Sequence, residues 1–130
     1  MIDLPRIERP QGNITPVESE RDVPFPIARV YYLYDIPGGE GRGGHAHRTL
    51  EQVVVAIMGS FDVVIDDGSK RHTFRLDRAY KGLYVAPMIW RELEGFSSGG
   101  ICLVLASRAF TEDDYIRGYE EFQAAKLGDG

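Results

Sequence analysis

An all-β sandwich or barrel closed by a single terminal helix is the fold this sequence predicts. Three observations carry the prediction. Eight or nine short runs of β-branched and aromatic residues follow one another at even spacing, each bounded by Gly, Pro, Asp or Ser. Only the tail changes period, where Tyr115, Ile116, Tyr119 and Phe122 are spaced for one apolar helix face. The length of 130 residues is that of one domain, 1–130, able to bury a core without covalent staples. A jelly-roll fits the strand count, with the short C-terminal α-helix capping one sheet.

The elements justify themselves in order. Residues 1–11 carry Pro5, Pro10 and charges and read as an extended arm. Gly12-Asn13 punctuates it, and Ile14 to Glu18 alternates around Pro16, which suits an edge strand. Pro24 and Pro26 force an extended approach to the strand Ile27 to Tyr34. Pro37 to Gly44 is a glycine-rich loop in which backbone can approach a ligand closely. Strands follow over Glu51 to Met58 and Phe61 to Ile65. Asp66-Asp67-Gly68 supplies the hairpin to a half-wet return strand, Lys70 to Leu76. Leu83 to Ala86, Ile89 to Leu93 and the doubly buried Ile101 to Ala106 complete the set. Thr111 with Asp114 reads as a capping box opening the helix.

Bulk composition excludes several functions. A formal charge of −5 offers no net positive field to gather nucleic acid, although a local arginine cluster can still hold a small anion. The single cysteine, Cys102, excludes an internal disulfide framework and fits a reducing, cytoplasmic compartment. No apolar run reaches bilayer length, and the Met1 to Arg6 start lacks a signal-peptide pattern.

Chemistry concentrates at Gly43-Gly44-His45-Ala46-His47-Arg48. Two of the three histidines stand at i and i+2, so on a strand both imidazoles face one cavity. With Glu51 they resemble the first cupin motif, whose histidines and glutamate bind a divalent metal. A further histidine is expected from a later strand, near Pro87, and Trp90-Arg91 stands there instead. Zinc and iron sites need at least three well-placed ligands, and Arg91 repels a cation. The reading therefore favours no metal and no cofactor, with the two imidazoles as acid–base groups of near-neutral ordinary pKa. His72, on the alternating strand, reads as a surface residue. Tyr32 and Tyr34 share a face and offer a phenol beside the histidines, while Tyr31 reads as core. Arg42 offers a guanidinium for a carbonyl or phosphate oxygen, and Trp90 is either core or a stacking platform.

The ordered set Arg29 to Asp35, Arg42 to Arg48, Leu50 to Gln52, Gly59 to Val63, Pro87 to Leu93, Phe96 to Gly99, Cys102 to Ser107 and Asp113 to Arg117 resembles the dTDP-sugar 3,4-ketoisomerase family, of the WxcM-like kind. The resemblance runs from about Gly12 to Phe122. It implies a metal-independent cupin, related in fold to deoxysugar 3,5-epimerases. It also implies action on dTDP-4-keto-6-deoxyglucose and a homodimer formed by strand exchange. The implied catalytic residues are His45, His47, Tyr34 (or Tyr32) and Arg42. Tyr32, Arg29, Arg48, Trp90 and Arg91 are expected to bind substrate, with Arg91 influencing the configuration at C4. The alternatives are a 3,5-epimerase on the same fold, and a sugar-binding cupin whose histidines only hold hydroxyls.

Overall fold

A computed structural model describes residues 1–129, and the statements below concern those residues. In chain order the strands are β1 (Ile2–Asp3), β2 (Ile7–Arg9), β3 (Gly12–Ile14), β4 (Arg29–Leu33), β5 (Arg42–His47), β6 (Gln52–Met58), β7 (Phe61–Asp66), β8 (Arg71–Leu76), β9 (Lys81–Val85), β10 (Trp90–Glu94), β11 (Ile101–Ala106) and β12 (Tyr115–Ile116). A short 3-10 turn, Glu112–Asp114, precedes β12, and helix α1 (Tyr119–Asp129) ends the chain. This is the expected jelly-roll. One five-stranded sheet has the order β1-β9-β6-β11-β4 and the other β12-β5-β10-β7-β8, with β2-β3 as a separate ribbon.

Between the sheets lies the principal core, built from alternate residues of each strand: Val54 and Ala56, Phe61 and Val63, Leu83 and Val85, Cys102 and Val104. Phe61 and Phe96 stack within it at 4.7 Å. A second cluster, with Val53, Val55 and Leu105, lies on the opposite face of β6 and β11 under Leu4, Val23 and Phe25 of the N-terminal segment. The third, Ala46, Trp90, Ile116 and Phe122, joins α1 to the outer face of β5, β10 and β12. Gly44 lets that layer close, because a Cβ there would stand 2.5 Å from the Trp90 ring. The hairpin at Asp66-Asp67-Gly68 forms as its sequence dictates. Gly68 takes φ +101°, and its N–H donates to Asp66 Oδ1 at 2.7 Å.

Three local expectations are corrected. Gly12 and Asn13 are strand residues of the β2-β3 ribbon, and the strand ends at Ile14 rather than continuing to Glu18. Arg42, Gly43 and Gly44 belong to β5 and not to the preceding loop. The helix begins at Tyr119, not near Thr111, which makes no side-chain cap bond. Tyr115 and Ile116 pair instead with His47 and Ala46 of β5. A helix cannot satisfy the open edge of β5, whereas an extended dipeptide can.

Candidate active site

Alternation along four strands brings the site together at one end of the space between the sheets. β4 turns Arg29, Tyr31 and Leu33 inward, β5 turns His45 and His47, and β10 turns Arg91 and Leu93. β12 adds Tyr115, opposite His47 in register. A cavity of about 360 Å³ results, walled by all of these side chains except His47, together with Arg42 and Arg117. That size suits a small-molecule ligand.

His45 lines the cavity, while His47, only 5% exposed, is buried behind it. The two rings meet edge to face with centroids 4.8 Å apart, and Tyr115 packs on both, at 5.1 Å from His45 and 4.3 Å from His47. His45 Nε2 and both nitrogens of His47 are buried without a hydrogen-bond partner. Burial, then the charge of Arg91, then the neighbouring imidazole hold the His45 pKa down to about 3. Burial and Arg91 likewise lower His47, to about 4, against an opposing pull from Asp114. Both rings are therefore neutral near pH 7, the state a general base requires.

Arg91 is buried, and its hydrogen-bond partners are neutral. Its Nε donates to Gln52 Oε1 at 3.0 Å and its Nη2 to Tyr31 Oη at 2.9 Å. Gln52 Nε2 also donates to Tyr31 Oη, at 3.0 Å. The phenol oxygen thus accepts two hydrogen bonds, which leaves its own proton to be donated elsewhere. An uncompensated guanidinium and a phenol proton at the cavity wall are suited to meet a developing oxyanion. Arg29 stacks over Tyr31 at 4.6 Å and near Phe110 at 5.2 Å. Arg117 lies 4.3 Å over the Tyr115 ring and is gripped by both oxygens of Glu112. Four guanidiniums around one cavity make it anion-seeking despite the acidic chain.

Of the residues expected from the sequence, His45, Arg42, Arg29 and Arg91 line the cavity, and His47 backs it. Four expectations are corrected. Tyr34 and Tyr32 lie outside the cavity, 60% and 58% exposed, and the tyrosine inside is Tyr31. Trp90 is buried between β10 and α1, with Nε1 donating to Glu92 at 2.8 Å, because it precedes the inward Arg91 by one residue. Arg48 is exposed and faces Glu121 of α1 at 3.7 Å.

Sequence reasoning missed Gln52, Asp114, Tyr115 and Arg117. The signal for Gln52 was parity. His45 and His47 fall on one face of β5, but the inward residue of β6 is Gln52, so Glu51 points away and accepts from Tyr84 at 2.6 Å. Among the described residues no group of three or more His, Cys, Asp or Glu is disposed to hold a metal ion. No helix there is long and apolar enough to cross a membrane.

Comparison with known proteins gives this geometry its context. The family model described as "FdtA: WxcM-like, C-terminal" matches residues 1–127. The TDP-4-oxo-6-deoxy-alpha-D-glucose-3,4-oxoisomerase of Aneurinibacillus thermoaerophilus is 43% identical over 123 residues, covering 95% of this chain and 88% of that protein. Among solved structures, the TDP-quinovose 3,4-ketoisomerase WlaRB of Campylobacter jejuni is 40% identical with a TM-score of 0.90, covering 95% of both chains. The sugar 3,4-ketoisomerase QdtA of Thermoanaerobacterium thermosaccharolyticum, solved with TDP, is 34% identical with a TM-score of 0.95, covering 98% of this chain and 93% of that one. A histidine-to-asparagine variant of QdtA is solved with TDP-4-keto-6-deoxyglucose. Matched in sequence and backbone along almost its whole length by sugar ketoisomerases, the chain belongs to the FdtA family of WxcM-like, C-terminal proteins.

Proposed function

We propose that the protein is a nucleotide-sugar 3,4-ketoisomerase that converts dTDP-4-keto-6-deoxyglucose to a dTDP-3-keto-6-deoxyhexose. The observation that carries the reading is His45, a neutral imidazole on the wall of an arginine-ringed cavity, with a second neutral imidazole behind it. The relatives' named substrates supply the sugar.

The hydrogen on C3 is acidified by the neighbouring C4 ketone. His45 removes it, and the electron pair flows into an enediolate across C3 and C4. Arg91 and Tyr31 stabilise the oxygen that gains charge, taking the phenol role first placed on Tyr34. A proton returns to C4 while the C3 hydroxyl gives up its own and becomes the ketone. His47 moves the proton between the two oxygens. General acid–base help at each step supplies about 10²–10⁴-fold. Arg29, Arg42 and Arg117 attract the diphosphate. No metal is needed, because Arg91 supplies the positive charge a metal would otherwise bring to the oxyanion. Arg91, on the cavity wall, is also our candidate for setting the C4 configuration.

Incubation with dTDP-4-keto-6-deoxyglucose in D₂O, followed by NMR, tests the assignment. Deuterium at C4 with a new C3 ketone supports it. Exchange at C3 and C5 with the ketone still at C4 identifies a 3,5-epimerase, and binding without turnover identifies a sugar-binding cupin.

The partner arrangement we propose is a homodimer in a reducing cytoplasm. β4 is an open sheet edge, and its outer face exposes Val30 and Tyr32 beside Tyr34. Next to it on the same face lies half-buried Leu103, in register with Tyr32. A monomer in sedimentation equilibrium at micromolar concentration overturns this.

A further inference from the structure

The carboxylate of Asp114 takes no part in that reaction, yet it is fixed beside His47 by more hydrogen bonds than a solvated acid needs. It is 8% exposed. Oδ1 accepts from the Thr49 N–H at 2.8 Å and from Thr49 Oγ1 at 2.7 Å, while Oδ2 accepts from the Leu50 N–H at 3.2 Å. Its own carbonyl accepts from the Arg48 N–H at 2.9 Å. These contacts tie the segment before β12 to the residues just beyond His47. The remaining approach to Oδ2 is occupied by His47, whose Nδ1 lies 3.4 Å away. That is longer than the roughly 2.8 Å of a formed charge-assisted bond, and it does not complete one in the free protein. Such contacts tighten when substrate is bound and charge develops.

We infer that Asp114 is a positioning residue for His47: it holds the hydrogen on Nδ1, so that Nε2 carries the lone pair and is the atom that takes and returns the proton. The assignment rests on the proposed ketoisomerase reaction for its purpose, but not for its geometry. A neutral imidazole carries one N–H, and the carboxylate decides on which nitrogen it sits. His45 has no acid in this position; the charges that act on it are Arg91, Arg117 and the ring of His47. The two histidines are therefore unequal, and only His47 has a carboxylate beside it to offset a transient positive charge. Burial opposes ionisation of Asp114, but its hydrogen bonds from Thr49 and Leu50 and the nearby His47 keep the carboxyl below the usual range, so the anion is present. In the transfer, the O3–H bond breaks as Nε2–H forms, then Nε2–H breaks as O4–H forms. Nδ1 keeps its hydrogen throughout, and no oxidant or cofactor is required.

Two-bond ¹H–¹⁵N correlation spectra of the free protein at pH 8 read the tautomer directly. Three histidines make assignment by single substitution straightforward. His47 is expected as the Nδ1–H form, and an Nε2–H form overturns the inference whatever the enzyme's activity proves to be. Asp114→Asn is expected to shift His47 toward a mixture of tautomers and to lower kcat about 10²-fold with KM changed less than threefold. Unchanged tautomer and kcat in a folded Asp114→Asn variant also overturn it. Thr49→Val removes one bond to the carboxylate but leaves its charge. It is expected to preserve the His47 tautomer and to hold kcat within threefold; loss of either there makes Asp114 merely structural. Should Asp114→Asn fail to fold, the wild-type tautomer and the Thr49→Val variant decide the matter. Failure of the ketoisomerase reading shows separately, as absence of turnover by the wild-type protein.

Discussion

Acidification should unfold this protein earlier than its carboxylates alone would dictate, and the cause is the histidine pair. In the unfolded chain each imidazole takes a proton near pH 6.5. In the folded protein burial and Arg91 hold His45 down to about 3 and His47 to about 4. Below pH 6.5 the unfolded state therefore binds protons that the native state refuses, and stability falls as pH falls. The full contribution is present above about pH 6.5, and the decline ends only where the native rings themselves protonate. Each ring loses about 1.36 kcal/mol per pH unit. At pH 5, one and a half units below the ordinary value, that amounts to roughly 2 kcal/mol per ring. The pair together approaches half of a typical total stability of about 5–15 kcal/mol. Asp114 works in a different window, because its lowered pKa gives stability that is present above the ordinary carboxylate range and lost beneath it. Urea unfolding at half-unit steps from pH 7.5 to 4.5, read by tryptophan fluorescence of Trp90, measures the slope. His45→Asn removes one of the two titrations and should reduce that slope by about half. A midpoint independent of pH down to 5, or a slope unaffected by His45→Asn, would refute the argument.

Three further outcomes follow from the same geometry. Tyr31→Phe strips the acceptor shared by Arg91 and Gln52, so it should cost about 1–3 kcal/mol of stability and about 10²–10³-fold in kcat; wild-type turnover in the folded variant would remove Tyr31 from the reaction. Gly44→Ala forces a methyl group to within 2.5 Å of the Trp90 ring, which is wedged against Tyr119 and Phe122, and should destabilise by about 1–3 kcal/mol in thermal melts; an unchanged Tm would show that β5 and β10 part easily. Dialysis against EDTA should leave turnover intact, and a loss restored by a divalent ion would return His45 and His47 to a metal-binding role.

Legibility differed sharply between elements. The β-branched runs, the Asp-Asp-Gly turn and the His-x-His pair were readable because each rests on local stereochemistry or on period-2 alternation within one strand. Which face of a strand looks inward was not readable where both faces are apolar. In β4, Val30 and Tyr32 are as apolar as Tyr31 and Leu33, so the pattern tied Tyr32 to Tyr34 but could not say that this pair faces outward. The tail failed for another reason. Tyr115, Ile116, Tyr119 and Phe122 have helical spacing, but the first two are captured by the edge of β5, some seventy residues away in sequence.

By itself, then, the sequence determined a jelly-roll, a strand that presents two imidazoles to one side, and arginines enough to draw an anion into an acidic protein. Only tertiary structure decided the depth of each group. It set His45 at the wall and His47 behind it, exchanged Glu51 for Gln52 and Tyr34 for Tyr31, and brought Asp114 and Tyr115 to the histidines. The physical reason is that alternation specifies faces only relative to one another. Which face is inside, and which distant segment completes an edge, is settled by pairing register and by the burial that the assembled sheets make possible.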